Sequence, residues 1–130
     1  MMTASSETLI DTHAWIELFQ GTPPGEKVEA LLKERECFTS IVSFSEISNW
    51  CSKNGFDPKQ YIDYVKDSSD IVGLDEEIAV KAGLLRHALK LKMRRWGMID
   101  AIIYTTAVLN GFVVLSGDPD FEGLPSTEML

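Results

Sequence analysis

Short apolar segments alternate with longer, helix-like segments along almost the whole chain, and this alternation limits the possible folds more than any other feature. The segments with the length and apolar character of buried strands are residues 8–10, 36–40, 69–74 and 112–116. Those that favour helices are residues 12–19, 26–34, 43–55, 57–67, 75–92 and 99–111. Strands that alternate with helices are typical of α/β domains with a mostly parallel sheet, which is the fold class we predict.

Glycine, proline and a periodic apolar stripe set the predicted limits of the helices. We expect a loop at residues 21–25, because two prolines between glycines interrupt a helix. Asp57 followed by Pro58 predicts a helix start, and Gly55 and Gly111 predict helix ends. The stripe on the long helix consists of Ile78, Ala82, Leu85, Leu89 and Met93.

The composition is that of one globular domain spanning residues 1–130, with 45% hydrophobic and 25% charged residues. No apolar run approaches the ~18 residues that a membrane-spanning helix needs, and the polar start MMTASSET does not resemble a secretory signal. Cys37 and Cys51 are too few for a disulfide framework and lack metal-ligand spacing. We therefore expect a cytoplasmic protein that does not contact membranes.

The net charge of −8, from 12 basic and 20 acidic residues, argues against general electrostatic binding of nucleic acid. It leaves open a cluster of carboxylates that binds divalent cations, because a bound metal inverts the local charge.

Acidic residues mark the ends of four predicted elements. Asp11 ends the first strand, and Glu46 lies in the first turn of the helix after the second strand. Asp100 begins a largely apolar helix, and Asp118 follows the last strand by two residues. Ligands of parallel sheets bind outside the carboxyl ends of the strands, so we expect the four carboxylates to converge there. Because such carboxylates repel one another, and because Mg²⁺ and Mn²⁺ prefer oxygen ligands, the pattern predicts a divalent-metal site.

Each of these residues also has an ordinary structural interpretation. Asp11 and Asp100 suit helix N-termini, Asp118 lies in the turn sequence GDPD, and Glu46 suits a solvated helix face. His13 could be a metal ligand, a proton shuttle or a hydrogen-bonded structural histidine. Considered one at a time, each of these residues is compatible with a structural role and with a role in a metal site.

Four sequence segments carry a family resemblance. LIDTHAWIE, SFSEI, MIDAIIYTTAVLNG and VVLSGDPDF resemble, in that order, the signature segments of the PIN domain and, more narrowly, of the VapC-type ribonuclease toxins. The resemblance covers roughly residues 7–124. It implies a single domain with three α/β/α layers around a mostly parallel sheet of about four to five strands. Two departures are His13, where an Asn is common, and a short tail after residue 122 where many members carry a final strand.

The resemblance also assigns roles to individual residues. It implies that the catalytic acids are Asp11, Glu46, Asp100 and Asp118. Asp11, Asp100 and Asp118 would hold one or two Mg²⁺ or Mn²⁺ ions, with Glu46 completing the metal shell or orienting the attacking water. The secondary positions that it points to are Thr12, Ser116 and Asp120.

The implied activity is metal-dependent endoribonuclease cleavage, a hydrolysis of RNA phosphodiesters that leaves a 5′ phosphate and a 3′ hydroxyl. The implied partners are an RNA substrate, with tRNA as one candidate, a cognate antitoxin and a second copy of the chain. The candidate contacts to RNA or antitoxin are Arg86, Lys90, Lys92, Arg94 and Arg95, which include the only dense basic stretch. A solvated helix end is the alternative for that stretch.

The aromatic residues Trp15, Phe19 and Trp50 could stack on bases, although a packing or partner surface is the simpler interpretation. Other classes of protein stay open as alternatives. One is a Mg²⁺-dependent phosphoryl-transfer domain, which needs a Lys where Asp118 follows the last strand. The others are a catalytically inert PIN-like scaffold and a purely structural α/β domain whose acids are helix caps.

Overall fold

The computed structural model describes residues 7–89 and 96–130, and these contain a five-stranded parallel sheet with the strand order β3-β2-β1-β4-β5. The strands are β1 (Glu7–Ile10), β2 (Glu36–Ser40), β3 (Asp70–Val72), β4 (Val113–Ser116) and β5 (Thr127–Met129). The helices are α1 (Thr12–Gln20), α2 (Pro23–Glu34), α3 (Val42–Lys53), α4 (Pro58–Ser68), α5 (Glu76–Leu89) and α6 (Met98–Asn110), with a short 3-10 helix at Pro119–Phe121. The predicted α/β class with a parallel sheet is confirmed.

Helices cover both faces of the sheet, which gives three layers. Successive strand residues point to opposite faces, so Leu9 and Ile10 of β1 belong to two different apolar clusters. Ile10 packs with α1 to α4, around the fully buried Trp15 and Ile47. Leu9 packs with α5 and α6 on the other face, where Ile103 is fully buried. Burial on both faces explains why apolar residues follow one another directly at positions 9–10 of β1 and 113–115 of β4.

The strand order reverses direction between β1 and β4. From β1 the chain goes outward through β2 to β3 and then returns to place β4 on the other side of β1. The pairing of Ile10 with Leu115 aligns the carboxyl ends of β1 and β4, and the Asp11 amide donates to the Leu115 carbonyl oxygen at 3.0 Å. Such a reversal leaves a crevice above the strand ends, where α/β proteins bind ligands.

The expected loop at residues 21–25 is wrong, because helix α2 already begins at Pro23. Thr22 is its N-cap, and its hydroxyl oxygen accepts a hydrogen bond from the Gly25 amide at 3.1 Å. Proline is compatible with a first helical turn, where amide hydrogens have no partner within the helix. The two prolines therefore start a helix instead of interrupting one.

The other boundaries agree with the sequence to within a few residues. Asp57 caps α4 through the Lys59 amide, and Gly111 ends α6 with a left-handed φ of 74°. The fifth strand, for which the tail looked short, is present as β5 and pairs in parallel with β4. The stripe of α5 can be followed to Leu89, whereas Met93 and the predicted helix end at residue 92 lie outside the described residues. Within the described ranges, every helix falls short of the length and apolar character that a bilayer crossing requires.

Candidate active site at the carboxyl edge of the sheet

The four acids chosen from the sequence line one cavity of about 320 Å³ above the carboxyl ends of β1 and β4. They come from four separate segments: Asp11 follows β1, Glu46 lies on α3, Asp100 lies on α6, and Asp118 follows β4. Thr12 and His13 line the same cavity. The parallel sheet therefore brings together side chains that are up to 107 positions apart, from Asp11 to Asp118.

Asp11 is the most deeply buried of these acids, with 3% of its surface exposed. It occupies the N-cap position of α1, but its carboxylate makes no capping hydrogen bond. Instead, Oδ2 accepts a hydrogen bond from the Ser116 hydroxyl at 2.7 Å, and that hydroxyl accepts one from the Asp118 amide at 2.9 Å. Burial raises the pKa of Asp11 to about 7, opposed by the Ser116 hydrogen bond and reinforced by the charges of Asp100 and Glu46.

Glu46 is held by the hydroxyl group of Thr12 on the neighbouring helix α1. The Thr12 hydroxyl donates to Glu46 Oε1 at 2.6 Å, and the Thr12 oxygen lies 2.8 Å from the Ser43 hydroxyl. Thr12 is placed to donate to either oxygen, and its single hydroxyl proton goes to one of them at a time. Burial raises the pKa of Glu46, the Thr12 hydrogen bond lowers it, and the nearby charge of Asp118 raises it.

Asp100 accepts a hydrogen bond at the start of α6 and also lines the cavity. Its Oδ2 accepts a hydrogen bond from the Gly97 amide at 3.1 Å, so the structural interpretation of a helix-start acid holds for this residue. Burial nevertheless raises the pKa of Asp100 to about 6, with the Gly97 amide opposing the shift and the charges of Asp118, Glu46 and Asp120 adding to it. The Asp100 side chain can therefore cap helix α6 and also belong to the acidic site.

Asp118 and Asp120 form the turn after β4. The Asp120 amide donates to Asp118 Oδ1 at 2.9 Å, which fixes the Asp118 carboxylate and starts the short 3-10 helix. Asp120 does not line the cavity, but its charge raises the pKa of Asp100, which does. Gly117, just before this turn, lies so close to His13 that a Cβ there would stand 2.9 Å from His13 Nδ1. A side chain at position 117 would therefore displace His13 from the cavity wall.

The chemistry of this site suits a hard divalent cation. Within residues 7–89 and 96–130, no three Asp, Glu, His or Cys side chains stand ready as a complete coordination group. The donors are nonetheless carboxylate oxygens, and burial raises the pKa of Asp11, Glu46 and Asp100, with the charges of neighbouring acids adding to each shift. A cation between them would offset both the burial and the repulsion, so Asp11, Asp100 and Asp118 fit the ligands that Mg²⁺ and Mn²⁺ prefer.

Three residues of the cavity wall were not predicted from the sequence: Ile16, Asn49 and Lys53. Trp50, predicted as a possible base-stacking residue, lies on the same wall. Helical spacing could have linked the three α3 residues to the site, because positions 49, 50 and 53 lie three, four and seven residues after Glu46. Trp15 cannot stack on a base, since it is fully buried. Arg86 lies on α5 and does not line the cavity, and Lys90, Lys92, Arg94 and Arg95 lie outside the described residues.

The fold and the cavity together define a three-layer α/β domain with an acidic crevice at the carboxyl edge of a parallel sheet. A family model of the PIN domain matches residues 8–125, and the chain therefore belongs to the PIN domain family. A comparison with the curated proteins finds no match.

Solved structures with similar folds include toxin–antitoxin proteins. A toxin–antitoxin complex from Klebsiella pneumoniae shares 26% identity with a TM-score of 0.74, over 94% of this chain and 96% of that chain. VapBC2 from Rickettsia felis, bound to a DNA fragment from its promoter, shares 17% identity with a TM-score of 0.73, over 95% and 97% of the two chains. Mycobacterium tuberculosis VapC20, described as a sarcin–ricin loop cleaving toxin, shares 13% identity with a TM-score of 0.73, over 91% and 95%.

Proposed function

We propose that residues 1–130 act as one metal-dependent endoribonuclease domain, the toxin of a toxin–antitoxin pair that works in the cytoplasm. The observation that carries this proposal is the convergence of Asp11, Glu46, Asp100 and Asp118 on one cavity. Membership of the PIN family and the similarity to VapC20, which is described as a sarcin–ricin loop cleaving toxin, support it.

In this proposal Asp11, Asp100 and Asp118 hold one or two Mg²⁺ or Mn²⁺ ions. When bound, such ions supply an acidified water and offset negative charge on the phosphodiester. Ser116 orients the Asp11 carboxylate through its 2.7 Å hydrogen bond, and Thr12 orients Glu46 through its 2.6 Å hydrogen bond. Glu46, which lines the cavity, would complete the metal shell or orient the attacking water. Asp120 contributes through the field that it adds at Asp100.

The substrate in this proposal is RNA, with tRNA as one candidate, and the products carry a 5′ phosphate and a 3′ hydroxyl. Arg86 and the basic stretch with Lys90, Lys92, Arg94 and Arg95 are the candidate contacts to more distant phosphates or to an antitoxin. Their positive charge would offset the repulsion between RNA and a chain with a net charge of −8.

The test is cleavage of total cellular RNA by the purified chain, with and without Mn²⁺. Asp100→Asn is the test variant and Asp67→Asn is the control, because Asp67 is an exposed residue of α4 that does not line the cavity. We expect discrete, Mn²⁺-dependent products from the wild type and from Asp67→Asn, and none from Asp100→Asn. A folded, partner-free wild type that gives no products with Mn²⁺ or Mg²⁺ would point instead to an inert scaffold.

An antitoxin is the proposed protein partner, as the similar solved structures are toxin–antitoxin assemblies. A groove of about 370 Å³ between α1 and α4 offers it an apolar surface, lined by Leu18, Phe19, Gln60, Tyr61 and Tyr64. If the chain is a toxin, its expression alone should arrest growth, and co-expression with the product of an adjacent gene should yield a stable complex and relieve that arrest. Tyr64→Arg should weaken that complex while the free chain still cleaves RNA.

A second copy of the chain is the other proposed partner. Val80 and Leu84 of α5 and Val108 and Leu109 of α6 are 57%, 68%, 49% and 38% exposed, and they lie on two helices that pack together. Among the described residues, the buried Thr105 hydroxyl beside them has no hydrogen-bond partner. Sedimentation equilibrium should give twice the monomer mass, and Leu84→Lys should give the monomer mass. A monomeric wild type would contradict a homodimer.

A further inference from the structure

Beyond Glu46, helix α3 also lines the acidic cavity with residues that are not acids. Helix α3 presents Glu46 to the cavity and then, at positions three, four and seven residues later, Asn49, Trp50 and Lys53. This spacing places the four side chains along one face of the helix. We call Asn49, Trp50 and Lys53 the α3 wall.

Two members of the α3 wall have unused hydrogen-bonding groups. Asn49 and Lys53 are exposed, and within the described residues neither the amide nor the ammonium has a partner in the protein. Within the described residues Lys53 forms no ion pair with Glu46 or with the other acids of the cavity. Lys53 therefore keeps an unpaired positive charge in the cavity that the carboxylates line.

The third member, Trp50, is held from behind by other aromatic rings. Its ring lies 6.0 Å from Phe19 in a stacked arrangement, and Phe56 and Tyr61 meet it edge-on at 5.5 and 5.7 Å. The residue is half-buried and still lines the cavity. A ring that is supported in this way loses little conformational entropy when a flat ligand stacks on its free surface.

We infer that the α3 wall binds the nucleotide next to the scissile phosphodiester of a single-stranded RNA, an inference that rests on the nuclease function proposed above. The base stacks on Trp50, the Asn49 amide hydrogen-bonds to the edge of that base, and Lys53 binds the flanking phosphate. Base stacking on aromatic side chains and hydrogen bonds to exposed base edges are the usual means of single-strand RNA recognition. The cavity thus has an acidic end for the reaction and a wall for the adjoining nucleotide.

Binding is tested in an Asp100→Asn background, which prevents cleavage and leaves the α3 wall unchanged. The probe is a short, fluorescein-labelled single-stranded RNA whose anisotropy is followed over a range of salt concentrations. Loss of one phosphate contact should reduce the slope of log K against log salt by about 0.7 for Lys53→Gln. Lys27→Gln is the matched control, because Lys27 is exposed on α2 and does not line the cavity, and its slope should equal that of the parent.

Stacking on Trp50 has a spectroscopic signature of its own. The chain has three tryptophans, and Trp15 and Trp96 are at most 2% exposed, so only Trp50 can contact RNA. RNA should quench the tryptophan emission of the Asp100→Asn protein, and Trp50→Phe should remove that quenching. Emission that is unchanged by bound RNA would overturn the stacking role.

The role of Asn49 is tested by the base preference of cleavage. The substrates are a set of RNAs that differ only at the base beside the cut. Asn49→Ala in the otherwise wild-type chain should cleave them at more similar rates than the wild type does. An unchanged preference would overturn this contact.

The two proposals fail in different ways. If the wild type cleaves RNA while Lys53→Gln keeps the full salt slope and RNA does not quench the emission of Trp50, nucleotide binding by the α3 wall is overturned and the nuclease function stands. If no cleavage occurs but the slope and the quenching depend on Lys53 and Trp50, RNA binding by the wall stands and the nuclease function fails.

Discussion

Asp11 is a carboxylate in a place where an isolated charge is costly, since it is almost completely buried at the end of a core strand. The Ser116 hydroxyl offsets part of that cost, and the neighbouring charges of Asp100 and Glu46 add to it. The result is a folded-state pKa of about 7 against a value of 3.8 for the ordinary carboxyl group. The folded chain without metal therefore binds more protons than the unfolded chain between these two pH values.

The raised pKa of Asp11 predicts how stability depends on pH in the absence of metal. Because the folded state holds the extra proton, the contribution of Asp11 to stability is fully present below a pH of about 4 and is lost as the pH rises through about 7. In EDTA, the free energy of unfolding of Asp11→Asn should vary less with pH than that of the wild type. At alkaline pH the variant should be the more stable of the two, by on the order of a few kcal/mol. Urea unfolding at a series of pH values measures both profiles.

Asp67→Asn is the control for this measurement, because Asp67 is exposed and its profile should follow that of the wild type. Parallel profiles for Asp11→Asn and the wild type would show that Asp11 titrates normally.

At the scale of elements, the turn between α1 and α2 determines how closely these two helices pack. Gly21 ends α1 with a φ of 68°, Thr22 caps α2, and Gly25 lies against the end of α1. A Cβ on Gly25 would overlap the backbone carbonyl of Glu17, which no side-chain rearrangement can relieve. Helix α1 positions Thr12 and His13 at the cavity, so this close approach also supports the site.

Gly25→Ala should destabilise the protein by about 3 kcal/mol, because the overlap forces α1 and α2 apart. Gly83→Ala is a matched control within a helix. Gly83 lies inside α5 with nothing within 4 Å of the added Cβ, so its replacement should stabilise the helix by about 1 kcal/mol. Thermal unfolding followed by circular dichroism measures both, and equal melting temperatures for the two variants would refute the argument from packing.

The same elements show what the sequence could and could not predict. The periodic spacing of apolar residues and the positions of the glycines predicted most helices and strands. The spacing is informative because a helix that buries one face, or a strand that buries both, has apolar residues at regular positions. The start of α2 was missed because Pro23 and Pro24 suit a first helical turn as well as a loop. The packing role of Gly25 depends on a contact with Glu17 that has no local signal. Asn49 and Lys53 were missed as cavity residues because they are unremarkable until Glu46 is known to face the cavity.

At the scale of the whole molecule, one ion pair joins the beginning of β2 to the last strand. The Arg35 guanidinium contacts both carboxylate oxygens of Glu128 on β5, at 3.0 and 3.3 Å, and it donates to the Thr8 hydroxyl on β1 at 3.3 Å. The side chains of Arg35 and Glu128 are 19% and 42% exposed, so solvent screens the pair in part. The pair therefore spans the sheet from β2 to its β5 edge.

A double-mutant cycle of Arg35→Gln and Glu128→Gln should give a coupling energy of about 1 kcal/mol, the upper end for a partly exposed pair with two contacts. The amides of β5 should also exchange faster with deuterium in Arg35→Gln. The Lys81–Glu77 pair on α5 is the control, since its side chains are 52% and 62% exposed and its coupling should be smaller, about 0.3 to 0.5 kcal/mol. Zero coupling at both pairs, with unchanged exchange in β5, would contradict a role in holding the edge strand.

The strand order also has a consequence for synthesis, because neighbouring strands of this sheet are far apart in the sequence. Asp11 is synthesised well before β4, which carries Ser116 and leads into Asp118. A nascent chain that ends before β4 lacks both Asp118 and the Ser116 hydroxyl that holds the Asp11 carboxylate, whatever it has already folded. The proposed cleavage of RNA would therefore become possible only after β4 and the turn that follows it have been synthesised.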